Sequence, residues 1–255
     1  MSLRRRPIPF RPVSTRKDAL ILTYLDLRKI VGVMALCLPF VLGVGKMLVG
    51  SPGLESSISN YYYTDMRNLF VGSMCVIGLF LAACRGYDRR DAIAGTFAGI
   101  CAIGLALFPC GPDPTEQARG FVFHPWQVPV GWVHLFFAAM LFLTVAYFCL
   151  SLFTLTTING MTPHKRIRNR IYKICGWTIL TCIALCVATK YLEGARWLTG
   201  FHPIFWFESI AVMAFGAAWL TKSEVFLKDQ QPQRPAVTYM DSPLQSTRVP
   251  RSTSM

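Results

Sequence analysis

IVGVMALCLPFVLGVGKMLV (30–49) holds one charge, Lys46, in twenty residues. About 20 mostly apolar residues are what a helix needs to cross a bilayer. Five further stretches read the same way: 68–84, 92–108, 130–155, 174–189 and 204–220. The second, third, fifth and sixth are short, and each is expected to gain a helical turn from its polar flanks. The expected fold class is all-α, a polytopic transmembrane bundle of six helices. Residues 1–29 form a basic N-terminal segment, 30–221 the membrane domain, and 222–255 a tail.

The composition agrees. Of 255 residues, 53% are hydrophobic and 15% charged, and the net charge is +13. Soluble domains carry about 25% charged residues. An ordinary soluble enzyme, a disordered chain and a disulfide scaffold are thereby excluded. Nucleic acid is not an expected partner, because the basic residues are scattered over four segments.

Those residues report orientation instead. With six spans, 21 of the 26 Lys and Arg fall on the side of the two termini. The other side holds Lys46, Arg67, Arg119, Lys190 and Arg196. Lys and Arg mark the cytoplasmic side, so both termini are expected there. The expected setting is an integral, multi-pass protein of a cytoplasmic (inner) or plasma membrane. Its partners are the lipid bilayer and the anionic lipids of the inner leaflet, which attract near-surface cations by about 1 kcal/mol each.

The stretch 19–29 reads as a short interfacial helix or as a plain extension of the first span. The Gln-, Pro-, Ser- and Thr-rich tail after Lys228 cannot bury a core and is expected to be disordered. Most of the nine cysteines lie inside spans, as small hydrophobes. Cys84, beside Arg85, is a candidate for palmitoylation, although a packing role is favoured. Pro39 should kink the first span. Gly95 and Gly99 form a GxxxG pair, which favours close helix approach. The third span is therefore expected at the bundle centre, with a homodimer seam as the alternative. Trp126, Trp132, Trp197 and Trp206 read as an interfacial aromatic belt.

The candidate site lies on the sparsely charged side. Asp65 and Arg67 stand at the mouth of the second span, behind Tyr61, Tyr62 and Tyr63. His134 lies about one turn inside the fourth span and Glu208 inside the sixth. An ionisable residue within a span is costly unless it is paired or faces a wet cavity. Glu208, His134, Arg67, Asp65 and Tyr62 are thus the expected ligand-binding residues of an outward-facing polar pocket. Partners open to Glu208 are His134, Arg67 or a lysine. A buried ion pair that only fixes helix register is an equally good reading of Glu208.

Without a P-loop, a dinucleotide motif or a nucleophile elbow, the reading favours a non-enzymatic protein that binds a lipid or small ligand and holds no cofactor. The alternative is a zinc-dependent hydrolase of lipid amide or ester bonds. In it His134, His202 and His124 would hold the metal, and a bound hydroxide would attack. No HxxxH or HExxH spacing accompanies these histidines.

The stretches SISNYYYTDMRNLFVG (57–72), CRGYDRRD (84–91), AIGLALFPC (102–110), RNRIYKICGW (168–177) and FWFESIAVMAFGAAWLTK (205–222), with the His134 helix start, carry a resemblance. Over about residues 56–222 the chain resembles a family of bacterial six-helix membrane proteins with a domain of unknown function. More distantly it is similar to DRAM-like proteins and to the superfamily of alkaline ceramidases and progestin/adiponectin-type receptors. The resemblance implies a helical membrane fold and no particular activity. The distant superfamily has seven spans and a paired-histidine zinc motif, and this chain departs from both.

Overall fold

The computed structural model describes residues 16–49, 53–83, 89–111, 124–155, 162–191 and 201–223. Among these there are six α-helices and no strand. They are α1 (Arg16–Val49), α2 (Arg67–Ala83), α3 (Arg89–Leu107), α4 (Gln127–Tyr147), α5 (Pro163–Tyr191) and α6 (Pro203–Lys222). A 3₁₀ turn (Ser59–Tyr63) precedes α2, and a π turn (Phe148–Leu152) extends α4.

Five helices are long and apolar enough to cross a membrane: α1 from Leu25, α3, α4 with its π turn, α5 and α6. The second expected span is the exception. Helix α2 has 17 residues, which gives about 25 Å at 1.5 Å per residue, against a hydrocarbon core of about 30 Å. The first span and the stretch before it form one continuous helix that runs through Pro39, so the plain extension holds and no separate interfacial helix forms. Helix α5 begins at Pro163, well before residue 174, so the basic stretch Lys165–Lys173 belongs to the helix. The tail, Cys84, Trp197 and the side chain of Lys190 lie outside the described residues.

Neighbouring helices pack in chain order, α1 on α2 and so on to α6, and α6 closes on α1. The result is a ring. Its two ends differ. The loop end carries the 3₁₀ turn. The basic end carries Arg28, Arg89, Lys165 and Lys222 (the start of α5 and the end of α6 among them). At the basic end Trp219 packs on Phe153 and Phe215, with ring centroids 4.9 and 4.7 Å away.

The ring closes through small residues, because in lipid it is close packing that holds helices together. A Cβ on Gly99 would lie 2.5 Å from the carbonyl oxygen of Gly78, and one on Gly78 would lie 2.8 Å from that of Gly99. The small face of α3 is thus occupied within the chain, by α2 through Gly99 and by Phe137 of α4 against Gly104. The same device joins α1 to α6: Gly32 and Gly216 each lie where a Cβ would meet the other's carbonyl, at 3.0 and 2.7 Å.

Two substitutions test these contacts. Gly99→Leu pushes a side chain into backbone, and overpacking of this kind costs about 1–3 kcal/mol. It should lower the melting temperature of the detergent-solubilised protein. Gly72→Ala sits on α2 with nothing within 4 Å of its Cβ, and should leave the melting temperature unchanged or raise it slightly.

Candidate functional site: a loop cap over a central cavity

The segment 53–66 leaves α1 and folds across the loop end of the ring. Backbone buried among helix ends has no water to bond, so its polar groups need protein partners. The anchors come from several helices. On α1, Lys46 forms an ion pair with Glu55 and donates to the carbonyl of Gly53 at 3.0 Å. Both charges are deeply buried, with 4% and 1% of their side chains exposed. Gly53 has φ +104, a conformation that favours glycine.

Helix α6 contributes next. The carbonyl of Ser56 accepts from the Phe205 N–H at 3.0 Å, which satisfies one of the orphan donors of the first turn. One turn deeper the Glu208 carboxylate accepts from the Ile58 N–H at 2.7 Å. Helix α4 supplies His134. Its Nδ1 lies 2.7 Å from the carbonyl of Phe108 and its Nε2 3.0 Å from Ser59 Oγ. A carbonyl can only accept, so Nδ1 carries the proton, and in the neutral ring Ser59 donates to Nε2. From the α3–α4 connection, Cys110 donates its thiol to Asn60 Oδ1 at 3.2 Å, and its carbonyl accepts from the Tyr63 hydroxyl at 2.6 Å.

Beneath this cap lies a cavity of about 50 Å³ at the centre of the ring. Its walls come from α1, α2, α3, α4 and α6, through Leu38, Phe70, Leu105, Leu141, Val212 and others. The walls are apolar except at the loop end, where Ser59 and Glu208 line it.

The expected site residues therefore divide. Glu208 and His134 come together on the adjacent cap residues Ile58 and Ser59. His134 is buried about two turns inside α4, not one, because α4 starts at Gln127. Arg67 lies outside this group. It donates to the Tyr62 hydroxyl at 2.6 Å and stacks over its ring at 4.3 Å, on the exposed surface. Asp65 is exposed as well. The five do not line one pocket, because the backbone turns between Tyr61, which is buried, and Asp65, which is not. Glu208 meets the backbone N–H of Ile58.

The histidine trio is not brought together either. His124 is exposed and stacked on Trp126, with ring centroids 6.3 Å apart. His202 precedes α6 with φ 49, and both ring nitrogens of His134 are engaged. Among the described residues no three His, Cys, Asp or Glu side chains converge as a metal site. Sequence reasoning missed Glu55, Ser59 and the role of Cys110. The one available signal for Glu55 was a lone carboxylate shortly after a lysine that closes a span.

Comparison with family models, with curated proteins and with solved structures finds no match for this chain.

Two measurements probe the cap. Removing one partner of a buried ion pair strands the other charge, at about 3–5 kcal/mol. Lys46→Met should therefore destabilise strongly, and Lys46→Met with Glu55→Met should recover much of the loss in thermal melting. The second is a pH effect. Burial raises the Tyr61 phenol from 10.0 to about 12. Folding thus favours the neutral phenol. Its contribution is whole below pH 10 and is lost as the pH rises toward 12. Stability measured over that window should fall, and Tyr61→Phe should remove that part of the fall.

Proposed function

We propose that this protein is a six-span membrane protein, with its basic end in the cytoplasm, that binds a small amphiphile in the central cavity. The observation that carries the reading is the cavity's polarity: apolar walls around the ring, and Ser59 and Glu208 at one end only. That pattern suits a hydrocarbon ligand with a single hydrogen-bond-donating head, which a carboxylate would accept.

The sixth span of this reading is α2. Helix α1 ends at the loop end, where Met66 lies against Gly45, and α3 starts at the basic end. Helix α2 runs between those two ends, which supports reading it as a further span. The orientation rests on the excess of Lys and Arg at the basic end.

At about 50 Å³ the cavity is far below the roughly 300–1,000 Å³ of ligand pockets. The described state is then the closed one. Entry requires segment 53–66 to lift, which releases the Ile58–Glu208 and Ser59–His134 bonds. The role is binding, without a catalytic step.

The test is retention of single-chain amphiphiles, long-chain amines and alcohols, by the purified protein in native mass spectrometry. One bound molecule per chain is expected. Val212→Trp fills the cavity and should abolish retention. Glu208→Gln, which loses a charged acceptor worth about 1.5–3 kcal/mol, should weaken it tenfold or more. Retention unchanged in both variants would overturn the reading. A void of this size costs about 1 kcal/mol at 24 cal/mol per Å³. Ala138→Val should therefore stabilise the protein while weakening the ligand.

A further inference from the structure

The basic end of α5 carries a second concavity, independent of whatever the central cavity holds. It is an open groove of about 800 Å³, lined by Arg166, Asn169, Arg170, Lys173, Trp177 and Thr181, with Ile174, Thr178 and Cys182 between them. These residues recur at helical spacing and so share one face of α5. The three cations are exposed, and no carboxylate is among the described residues of the lining. Trp177 follows, 64% exposed, and then the face turns to hydroxyls and apolar groups. From Arg166 to Cys182 the helix rises about 24 Å, with the cations in the first 10 Å or so. Cations first, then Ile174 and an indole, then small uncharged side chains follow the fall in charge from headgroup to interface to acyl region in a leaflet.

A topology signal alone asks only that Lys and Arg lie near span ends. It does not ask that three share a concave face without a carboxylate. Asn169 adds an independent observation. It is 9% exposed and lines the same groove. Its Nδ2 donates to the carbonyl of Thr154 at 3.3 Å, and its Oδ1 has no hydrogen-bond partner among the described residues. A buried acceptor without a donor is costly, and a turn of the side chain toward the groove it lines would offer that oxygen to a ligand hydroxyl.

We propose that this groove is a binding site for an anionic phospholipid with a hydroxylated headgroup, of the glycerol or inositol type. The phosphate sits among Arg166, Arg170 and Lys173, where guanidinium groups bond phosphate oxygens well. A headgroup hydroxyl donates to Asn169 Oδ1. An acyl chain lies along Ile174 and Trp177 toward Cys182.

The experiment is native mass spectrometry of the full-length protein with phosphatidylglycerol, phosphatidic acid and phosphatidylcholine. Phosphatidylglycerol should be retained over phosphatidylcholine at least tenfold. Arg166→Gln, Arg170→Gln and Lys173→Gln combined should abolish that preference. Lys29→Gln, Arg89→Gln and Arg90→Gln combined remove three exposed cations elsewhere at the same end, and should leave it intact. Equal losses in the two triple variants would reduce the effect to general surface charge and overturn the site. Arg166→Lys with Arg170→Lys keeps the charge and should keep the preference, which separates lost binding from lost folding. Asn169→Leu should erase the preference for phosphatidylglycerol over phosphatidic acid while phosphatidic acid still binds. An unchanged preference there would overturn the hydroxyl contact. Val212→Trp, which fills the central cavity, should leave phosphatidylglycerol retention unchanged, so failure of the amphiphile reading and failure of this one are told apart.

Discussion

Irregular backbone buried among helix ends must find a protein partner for each N–H and carbonyl, since hydrocarbon offers none. The cap at 53–66 meets that demand with side chains and helix termini from around the ring. Lys46 anchors it to α1, Phe205 and Glu208 to α6, His134 to α4, and Cys110 to the α3–α4 connection. The buried charges at this end are thus explained first by backbone. Glu208 holds an amide, Lys46 holds a carbonyl and a carboxylate, and the protonation of His134 follows from the carbonyl it meets. Any ligand function is built on groups that already hold the cap down.

Beneath the cap, shape is set by what the helices lack. Gly78 against Gly99, and Gly32 against Gly216, let two pairs of backbones approach closely. The other junctions use larger side chains, such as Phe137 against Gly104 and Leu150 against Gly176. Six helices closed in a ring leave a space along the axis, and Leu38, Leu141, Val212 and Phe215 do not fill it. A close-packed interior seldom keeps such a void, which is why its polar end draws attention.

Much of the fold was legible in the apolar runs, since hydrocarbon sets both their length and their composition. The start of α5 was not. Arg166, Arg168, Arg170 and Lys173 look like a loop when hydropathy is averaged, yet Arg168 and Tyr172 are buried while Arg166 and Arg170 face out. Glu208 and His134 stood out because charge in an apolar run is rare. Glu55 did not, because a carboxylate in a polar loop is ordinary and nothing local says that the loop will be buried. The GxxxG pair announced a close approach but not its partner, since Gly78 sits in α2 without a matching glycine four residues away. Asp65 and Arg67 shared a chain neighbourhood with the cap, and one turn of backbone placed them outside it.

The Phe205–Ser56 hydrogen bond also bears on how the molecule is made. The residues that cap the loop end are synthesised early, and the helix whose first turn they satisfy is the last of the six described helices to be synthesised. Until α6 inserts, the Ser56 carbonyl and the Ile58 N–H await Phe205 and Glu208, and Gly32 faces no Gly216. The described helices therefore form an open arc that stays unsealed until α6 arrives, and it is α6, more than any earlier helix, that converts them into one closed body.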